Sequence, residues 1–225
     1  MEEASSQTPD ALNHGPARVA EKLLAERARE WRAPLAIIVA GFLVFATLSG
    51  LSIWLLPFNV PNQVMVLVHT VVGLVLLIPT GWYLIRHGLR YWRNTMSHIL
   101  ALGYIGAAAV ILCAVSGVVL TWQATLGVKI SYAWDAIHIV TTLATLAFCL
   151  PHILLIVVRD RKARAAAGPM EVPALARPYA RGAAILTLAL LALVAVAAYA
   201  YHAPRLVTEF PSDYSFKYGK NRPFA

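Results

Sequence analysis

Residues 133–158 read AWDAIHIVTTLATLAFCLPHILLIVV, an apolar run that contains two histidines. A second apolar run, residues 63–87, reads QVMVLVHTVVGLVLLIPTGWYLIRH and contains two more. Each run exceeds the roughly 20 apolar residues that an α-helix needs to cross a bilayer. Imidazoles are costly in hydrocarbon, so histidines inside such segments indicate function. The four histidines are His69, His87, His138 and His152.

The spacing of the histidines predicts that each pair shares one helix face. His152 follows His138 by 14 residues, and His87 follows His69 by 18 residues. At about 100° per residue, 18 residues close five turns, and 14 residues stop roughly 40° short of whole turns. Each helix is therefore expected to present two imidazoles from one face at two depths.

The composition indicates an integral membrane protein. Of the 225 residues, 59% are hydrophobic and only 13% are charged, which is more apolar surface than a soluble domain of this size can hide. The predicted fold class is all-α: an integral membrane helical bundle of five transmembrane helices, with a four-helix core and one extra helix. The predicted spans are residues 34–57, 63–87, 97–122, 133–158 and 179–203.

Lys and Arg concentrate on alternate sides of these spans, and this asymmetry predicts the orientation. The leader, the connection after the second span and the connection after the fourth span are rich in Arg, whereas residues 58–62 hold no Lys or Arg and residues 123–132 hold only Lys129. We expect a multi-pass protein of a bacterial inner membrane, with a cytoplasmic N-terminus and a periplasmic C-terminus. The net charge of +8 then reflects topology, and nucleic acid is not an expected partner.

Outside the membrane core of residues 34–160 lie the fifth span, residues 179–203, and three further segments. Residues 1–33 form a cytoplasmic leader, and apolar residues after Pro16 recur there at helical spacing. This pattern predicts an amphipathic helix on the membrane surface, with a solvated helix as the alternative. Residues 161–178 are predicted to form a cytoplasmic loop, and the aromatic-rich residues 204–225 a periplasmic tail that docks on a partner.

Pairing the histidines by depth predicts two haem sites. The second and fourth spans cross in the same direction, so His69 shares the outer depth with His138, and His87 the inner depth with His152. Two imidazoles fill both axial positions of a haem iron, which predicts one b-type haem at each depth. The spacings, about 27 Å and about 21 Å along the two helices, differ by about 6 Å. His98 is therefore an alternative inner ligand.

The two cysteines exclude other forms of bound iron. Cys113 and Cys149 are isolated in apolar segments, and no Cys-x-x-Cys-His motif or cysteine cluster occurs in these 225 residues. Covalent c-type attachment and cysteine-held iron–sulfur clusters are thus excluded within this sequence. Any haem must be held by histidines.

Over about residues 34–160, the chain resembles the membrane cytochrome b subunits of respiratory complexes. The similarity is to the b561-like four-helix haem cores found with formate dehydrogenases and nickel–iron hydrogenases. In hydrogenase-type subunits an inner-haem ligand comes from the first helix, which has no histidine here. Two ligands on the second helix are closer to the cytochrome b of quinol–cytochrome c reductases, so the subfamily stays open. The residues that carry the resemblance are His138, His152, His69 with Gly73, and Ser116 with Gly117.

The resemblance implies a di-haem subunit that passes electrons between the quinone pool and a periplasmic cytochrome c or iron–sulfur subunit. It implies no catalysis beyond quinone redox chemistry. Small residues would let a porphyrin lie against a helix, and arginines would pair with the propionates of the inner haem. Ordinary helix packing and membrane topology are the alternative explanations of these residues. The glycines are Gly73, Gly103, Gly106 and Gly117, and the arginines are Arg86, Arg90, Arg93 and Arg159.

A quinone pocket is expected at the inner surface, where polar donors meet apolar walls. A second candidate lies on the outer side, although aromatic residues there are also typical interfacial anchors. The inner residues are Arg90, Tyr91, Asn94 and His98, and the outer residues are Trp122, Tyr132, Trp134 and Asp135.

Two other function classes remain open from the sequence. A proton or ion transporter would use the buried histidines as relays, but the spans between residues 63 and 158 hold only one carboxylate, Asp135, and no inverted repeat is visible. A cofactor-free membrane anchor would leave the four histidines without a role. His14 and His202 are interpreted as a leader residue and an interfacial side chain.

Overall fold

The structure, a computed structural model, describes residues 22, 25–27, 29–127, 129–166 and 176–201. These residues form five long helices and no β-strand, and each helix is long and apolar enough to cross a membrane. The predicted all-α bundle of five spans is confirmed. The helices are α1 (Pro34–Leu55), α2 (Val60–Tyr91), α3 (His98–Leu126), α4 (Tyr132–Ala166) and α5 (Ala176–Ala200).

Several sequence-based predictions fall outside the described residues. They concern the tail over 204–225, residues 167–175 of the loop predicted over 161–178, and the roles of His14 and His202.

Polar caps and prolines set where α2 and α3 begin. The Asn59 side chain accepts a hydrogen bond from the Asn62 amide at 3.0 Å, and the Ser97 hydroxyl accepts one from the Leu100 amide at 3.3 Å. Such caps satisfy amide groups that the first helical turn leaves unpaired. A proline also occupies the first turn of α1 and of α2, where its missing N–H costs nothing.

Three helices extend beyond their predicted ends: α2, α4, and α3, which ends at Leu126 instead of residue 122. Hydropathy placed the end of the fourth span at residue 158, but α4 continues to Ala166. The Arg, Lys and Ala residues that follow the apolar run are good helix formers, so the helix continues past the apolar layer. Asp160 therefore belongs to α4 rather than to a loop. In the same way, α2 continues to Tyr91.

The helices pack unevenly around the bundle. The most extensive interface joins α3 to α4, and α1 packs against both α2 and α5. A buried apolar cluster forms where α1, α2 and α5 meet. By contrast, α2 and α4 make little backbone contact, and in the described residues α4 supplies no apolar side chain to the buried core. The cluster consists of Phe45, Val64, Val72 and Val194.

Residues 22, 25–27 and 29–31 are helical and are called the leader helix below. The predicted leader helix is therefore present in the described part of residues 1–33. Its last residue, Trp31, lies edge-on to Tyr179 of α5, with ring centres 5.0 Å apart.

Candidate cofactor sites between α2 and α4

The four histidines form two pairs that bridge α2 and α4. The ring centres of His69 and His138 are 6.3 Å apart, with the ring planes at 85°. The ring centres of His87 and His152 are 6.5 Å apart, also with the planes at 85°. Both pairs join the helices in the same chain order, so α2 and α4 run in the same direction. The difference of about 6 Å in spacing along the two helices does not keep either pair apart.

Ser49 and Gly50 of α1 lie behind His69. The Ser49 hydroxyl oxygen is 2.8 Å from His69 Nδ1 and 2.7 Å from the carbonyl oxygen of Phe45. A carbonyl only accepts, so the hydroxyl donates to Phe45 and accepts the Nδ1 hydrogen of His69. A Cβ at Gly50 would lie 3.3 Å from His69 Cε1, so the ring rests against the backbone of α1.

His138 is held by α3 in a similar way. Its Nδ1 lies 3.0 Å from the carbonyl oxygen of Cys113 and 3.0 Å from the Ser116 hydroxyl oxygen. The carbonyl acceptor places the imidazole hydrogen on Nδ1. A Cβ at Gly117 would lie 3.1 Å from His138 Cε1. A serine followed by a glycine thus supports each histidine of the outer pair from the neighbouring helix.

His152 also packs against α3. Its Nδ1 donates to the carbonyl oxygen of Ile99 at 2.8 Å. A Cβ at Gly103 would lie only 2.8 Å from His152 Cε1, and a Cβ at Gly106 only 2.7 Å from the sulfur of Cys149. Because Gly103 and Gly106 have no side chain, α3 and α4 can approach closely at these two positions.

The structure thus places the glycines of α3 against side chains of α4. Sequence reasoning had assigned Gly103, Gly106 and Gly117 to contact with a porphyrin. The fourth such glycine, Gly73 on α2, has open space around it: a Cβ there would meet no atom within 4 Å.

His87 is oriented by rings of its own helix. Tyr83 stacks on it with ring centres 5.2 Å apart and planes at 20°, and Tyr91 lies on it with centres 4.9 Å apart. The two tyrosines lie one turn before and one turn after His87, where helical neighbours meet. Aromatic packing therefore fixes the direction of this imidazole.

The donor set at each depth consists of two imidazoles. Within the described ranges, no three His, Cys, Asp or Glu side chains gather as a metal site. Two nitrogens are fewer than the four ligands of a tetrahedral zinc site, whereas two histidines could hold a haem iron. For His138 and His152 the carbonyl acceptors keep the ring hydrogen on Nδ1, so the lone pair lies on Nε2.

The faces of α2 and α4 that carry the histidines share little backbone contact. On the same face of α2, about 20° from His69, the Thr80 hydroxyl is buried and has no hydrogen-bond partner among the described residues. Buried polar groups are normally paired, so Thr80 is an exception on this face.

The predicted arginine and inner quinone residues cluster at the inner end of α2. Arg90 forms an ion pair with Glu30 at 2.7 Å, and the Tyr91 hydroxyl donates to the same carboxylate at 2.8 Å. Arg159 forms an ion pair with Asp160 at 3.2 Å. The remaining residues of this set, Arg86, Arg93, Asn94 and His98, are exposed, as are Arg90 and Arg159.

The structure brings His87 rather than His98 to His152. His98 is exposed at the start of α3. Trp122 and Tyr132, of the predicted outer set, are largely exposed. Exposed aromatic side chains near helix ends are typical of anchors at the membrane interface.

Sequence reasoning missed the residues that support the histidines from other helices, above all Ser49 with Gly50. The sequence pattern that could have identified these residues is the Ser-Gly pair, which occurs in both α1 and α3. It also missed Asp160, which is buried at the inner end of α4. Comparisons of this chain with protein-family models, with curated proteins and with solved structures find no match.

Proposed function

We propose that this protein is a di-haem b-type cytochrome subunit of a respiratory membrane complex. In this proposal it carries electrons across the membrane between the quinone pool and a redox partner on the outer side. His69 and His138 hold the outer haem, and His87 and His152 hold the inner haem. The observation that carries the proposal is the presence of two imidazole pairs, at two depths, with nearly the same separation and ring angle.

The separation of the rings matches the length of an imidazole–metal–imidazole unit. A metal–imidazole bond is about 2.0–2.1 Å, and a ring nitrogen lies about 1.1 Å from the ring centre, so two rings on opposite sides of one metal have centres about 6.3 Å apart. The observed values are 6.3 Å and 6.5 Å.

Hydrogen bonds support the same roles. His138 and His152 donate Nδ1 to carbonyl oxygens of α3. Histidines that bind metals commonly donate the other ring nitrogen to such an acceptor, which fixes the tautomer and the ring direction and makes the ligand more basic. In this proposal the Nε2 atoms of His138 and His152 are thus free to bind iron.

The two depths suit transfer across the bilayer. His138 and His152 lie about 21 Å apart along α4, and the hydrocarbon layer is about 30 Å thick. With both axial positions filled, a bound haem supplies one-electron transfer rather than oxygen chemistry. The role of this chain's residues is to bind and orient the two groups and to exclude water from them.

The test is the optical spectrum and redox titration of the purified full-length protein. We expect a b-type reduced-minus-oxidised spectrum, a content of two haems per chain and two redox components. His138→Ala should remove one component and halve the haem content, because the inner pair is built on other contacts. His98→Ala is the matched control and should keep both components, since this exposed histidine pairs with neither site.

Two results would contradict the proposal. A correctly folded but colourless protein would favour the anchor or transporter alternative. If His138→Ala kept both haems, the ligand assignment would be wrong.

A further inference from the structure

The leader helix joins the inner ends of three membrane helices. Glu30 reaches the end of α2, Trp31 reaches α5, and both Arg27 and Trp31 reach α4. These contacts connect residues far apart in the chain. They lie on the side of the bundle that carries the inner histidine pair.

Asp160 of α4 is the centre of one set of contacts. Its side chain is almost fully buried, with 2% of the residue exposed. It accepts hydrogen bonds from Arg27 Nη1 at 3.2 Å, Trp31 Nε1 at 3.0 Å and Arg159 Nε at 3.2 Å. A buried carboxylate is costly unless it is paired and hydrogen-bonded, and two of its three donors come from the leader helix.

Glu30 is the centre of the second set. One carboxylate oxygen lies 2.7 Å from Arg90 Nη2, and the other accepts the Tyr91 hydroxyl hydrogen at 2.8 Å. Tyr91 in turn lies on the ring of His87, with ring centres 4.9 Å apart. A single carboxylate of the leader helix therefore contacts the residue that orients an inner imidazole.

These contacts matter because α2 and α4 do not pack directly along their length. In the outer pair, each histidine is supported by a serine and a glycine of the neighbouring helix. In the inner pair, His87 contacts the His152 ring, and its other ring contacts in the described residues are with Tyr83 and Tyr91 of its own helix. The leader helix therefore adds a second connection between the inner ends of α2 and α4, besides the packing of both helices against α3.

We infer that the leader helix is a brace for the inner site, with Asp160 and Glu30 as positioning residues that hold the inner ends of α2 and α4 at the spacing that brings His87 to His152. The consequence for haem binding rests on the proposed function, whereas the spacing of the helices does not. The brace acts on the inner pair and leaves the outer pair unaffected.

The experiment measures helix spacing directly in the full-length protein. Spin labels are attached at Trp92→Cys and Lys162→Cys for the inner ends, and at Gln63→Cys and Ala133→Cys for the outer ends, with Cys113 and Cys149 replaced by serine. Distances are compared with and without Asp160→Ala. Arg161→Ala is the matched control, because it removes an exposed charge beside Asp160 that forms no ion pair among the described residues. Asp160→Asn and Glu30→Gln are milder variants for use if Asp160→Ala does not fold.

We expect Asp160→Ala to broaden or lengthen the inner distance and to leave the outer distance unchanged. In protein with native cysteines, the redox component that His87→Ala removes should shift or disappear, and the component that His138→Ala removes should persist. Asp160→Glu, which keeps the carboxylate, should restore part of the inner component. Arg161→Ala should change neither distance nor either component.

The outcomes separate the brace from the proposed function. An unchanged inner distance, or equal changes at both ends, overturns the brace even if both haems are present. A colourless protein whose inner distance still responds to Asp160→Ala supports the brace and contradicts the haem proposal.

Discussion

At the scale of the residue, neighbouring atoms determine what each histidine can do. A carbonyl oxygen of α3 accepts the Nδ1 hydrogen of His138, and another accepts that of His152. Each of these bonds leaves Nε2 with the lone pair and directs it away from α3. The glycines behind the rings matter as much as the hydrogen bonds, because a side chain there would occupy the position of the imidazole.

Gly103→Ala should disrupt the inner site selectively. The added Cβ would lie 2.8 Å from Cε1 and 3.1 Å from Nδ1 of His152, so the ring must move and the bond to Ile99 must weaken. Loss of such a supporting contact typically costs about 10–100-fold in metal affinity. Haem content and redox titration of the purified variant measure this loss.

Gly88→Ala is the control for that substitution. It lies next to His87 on α2, and its Cβ would meet no atom within 4 Å. The Gly88→Ala variant should keep both haem sites. Equal loss of haem in the two variants would show that the effect does not arise from contact with His152.

At the scale of the element, two sets of close helix contacts have different roles. One set supports the histidine pairs, and the other stabilises the bundle. α3 approaches α4 through glycines beneath the histidines, whereas α5 approaches α1 through Gly41 and Gly182. The Thr187 hydroxyl of α5 lies 3.0 Å from the Gly41 carbonyl oxygen and 2.9 Å from that of Ala183, and it can donate to either. In the described residues, the hydrogen-bond and ring partners of the four histidines lie on α1, α2, α3 and α4. We therefore infer that α5 stabilises the bundle.

Gly41→Val should lower stability without removing either site selectively. Even the first added carbon would lie 2.9 Å from Leu186 Cβ and 3.0 Å from the Ala183 carbonyl oxygen. Overpacking of this kind typically costs about 1–3 kcal/mol. Thermal unfolding in detergent should show a lower midpoint, and the folded fraction should keep both redox components. Gly81→Val, at a position with open space, is the control; a similar loss there would point to helix propensity rather than to the α1–α5 contact.

At the scale of the whole molecule, charge and contact define two different ends. One end carries the leader helix, Arg90 and Arg159, and it is basic. At this end Glu30 and Asp160 form ion pairs with arginines. The opposite end of α3 and α4 has Lys129 as its single Lys or Arg. Positively charged connections remain on the cytoplasmic side of a membrane, so the inner histidine pair is expected to lie near the cytoplasm.

Thiol labelling in intact cells and inside-out vesicles measures this orientation. Lys162→Cys should react with a membrane-impermeant reagent only in inside-out vesicles, and Lys129→Cys only in intact cells. Both side chains are exposed in the structure. The unmodified protein, which has Cys113 and Cys149 in apolar helices, provides the background. The reverse pattern would place the inner pair on the outer surface.

The sequence alone was sufficient for the five spans and for the helix face that each histidine pair shares. Hydrophobic runs of bilayer length are visible locally, and a period of 3.6 residues determines which side chains share a face. Because successive spans alternate in direction, the second and fourth spans are parallel, which predicts that His69 pairs with His138. The difference of about 6 Å in spacing left His87 and His98 as alternatives for the inner pair, and the structure brings His87 to His152.

The tertiary structure decided what stands behind and beside those histidines. Ser49 belongs to α1, Gly103 to α3 and Glu30 to the leader helix, and none of them is near its histidine in the chain. The periodicity of one helix carries no information about which neighbour lies against it, because lateral packing depends on small residues and hydrogen bonds that form only between distant segments. Nor does hydropathy register a buried carboxylate such as Asp160, since its burial arises from partners that the fold brings to it.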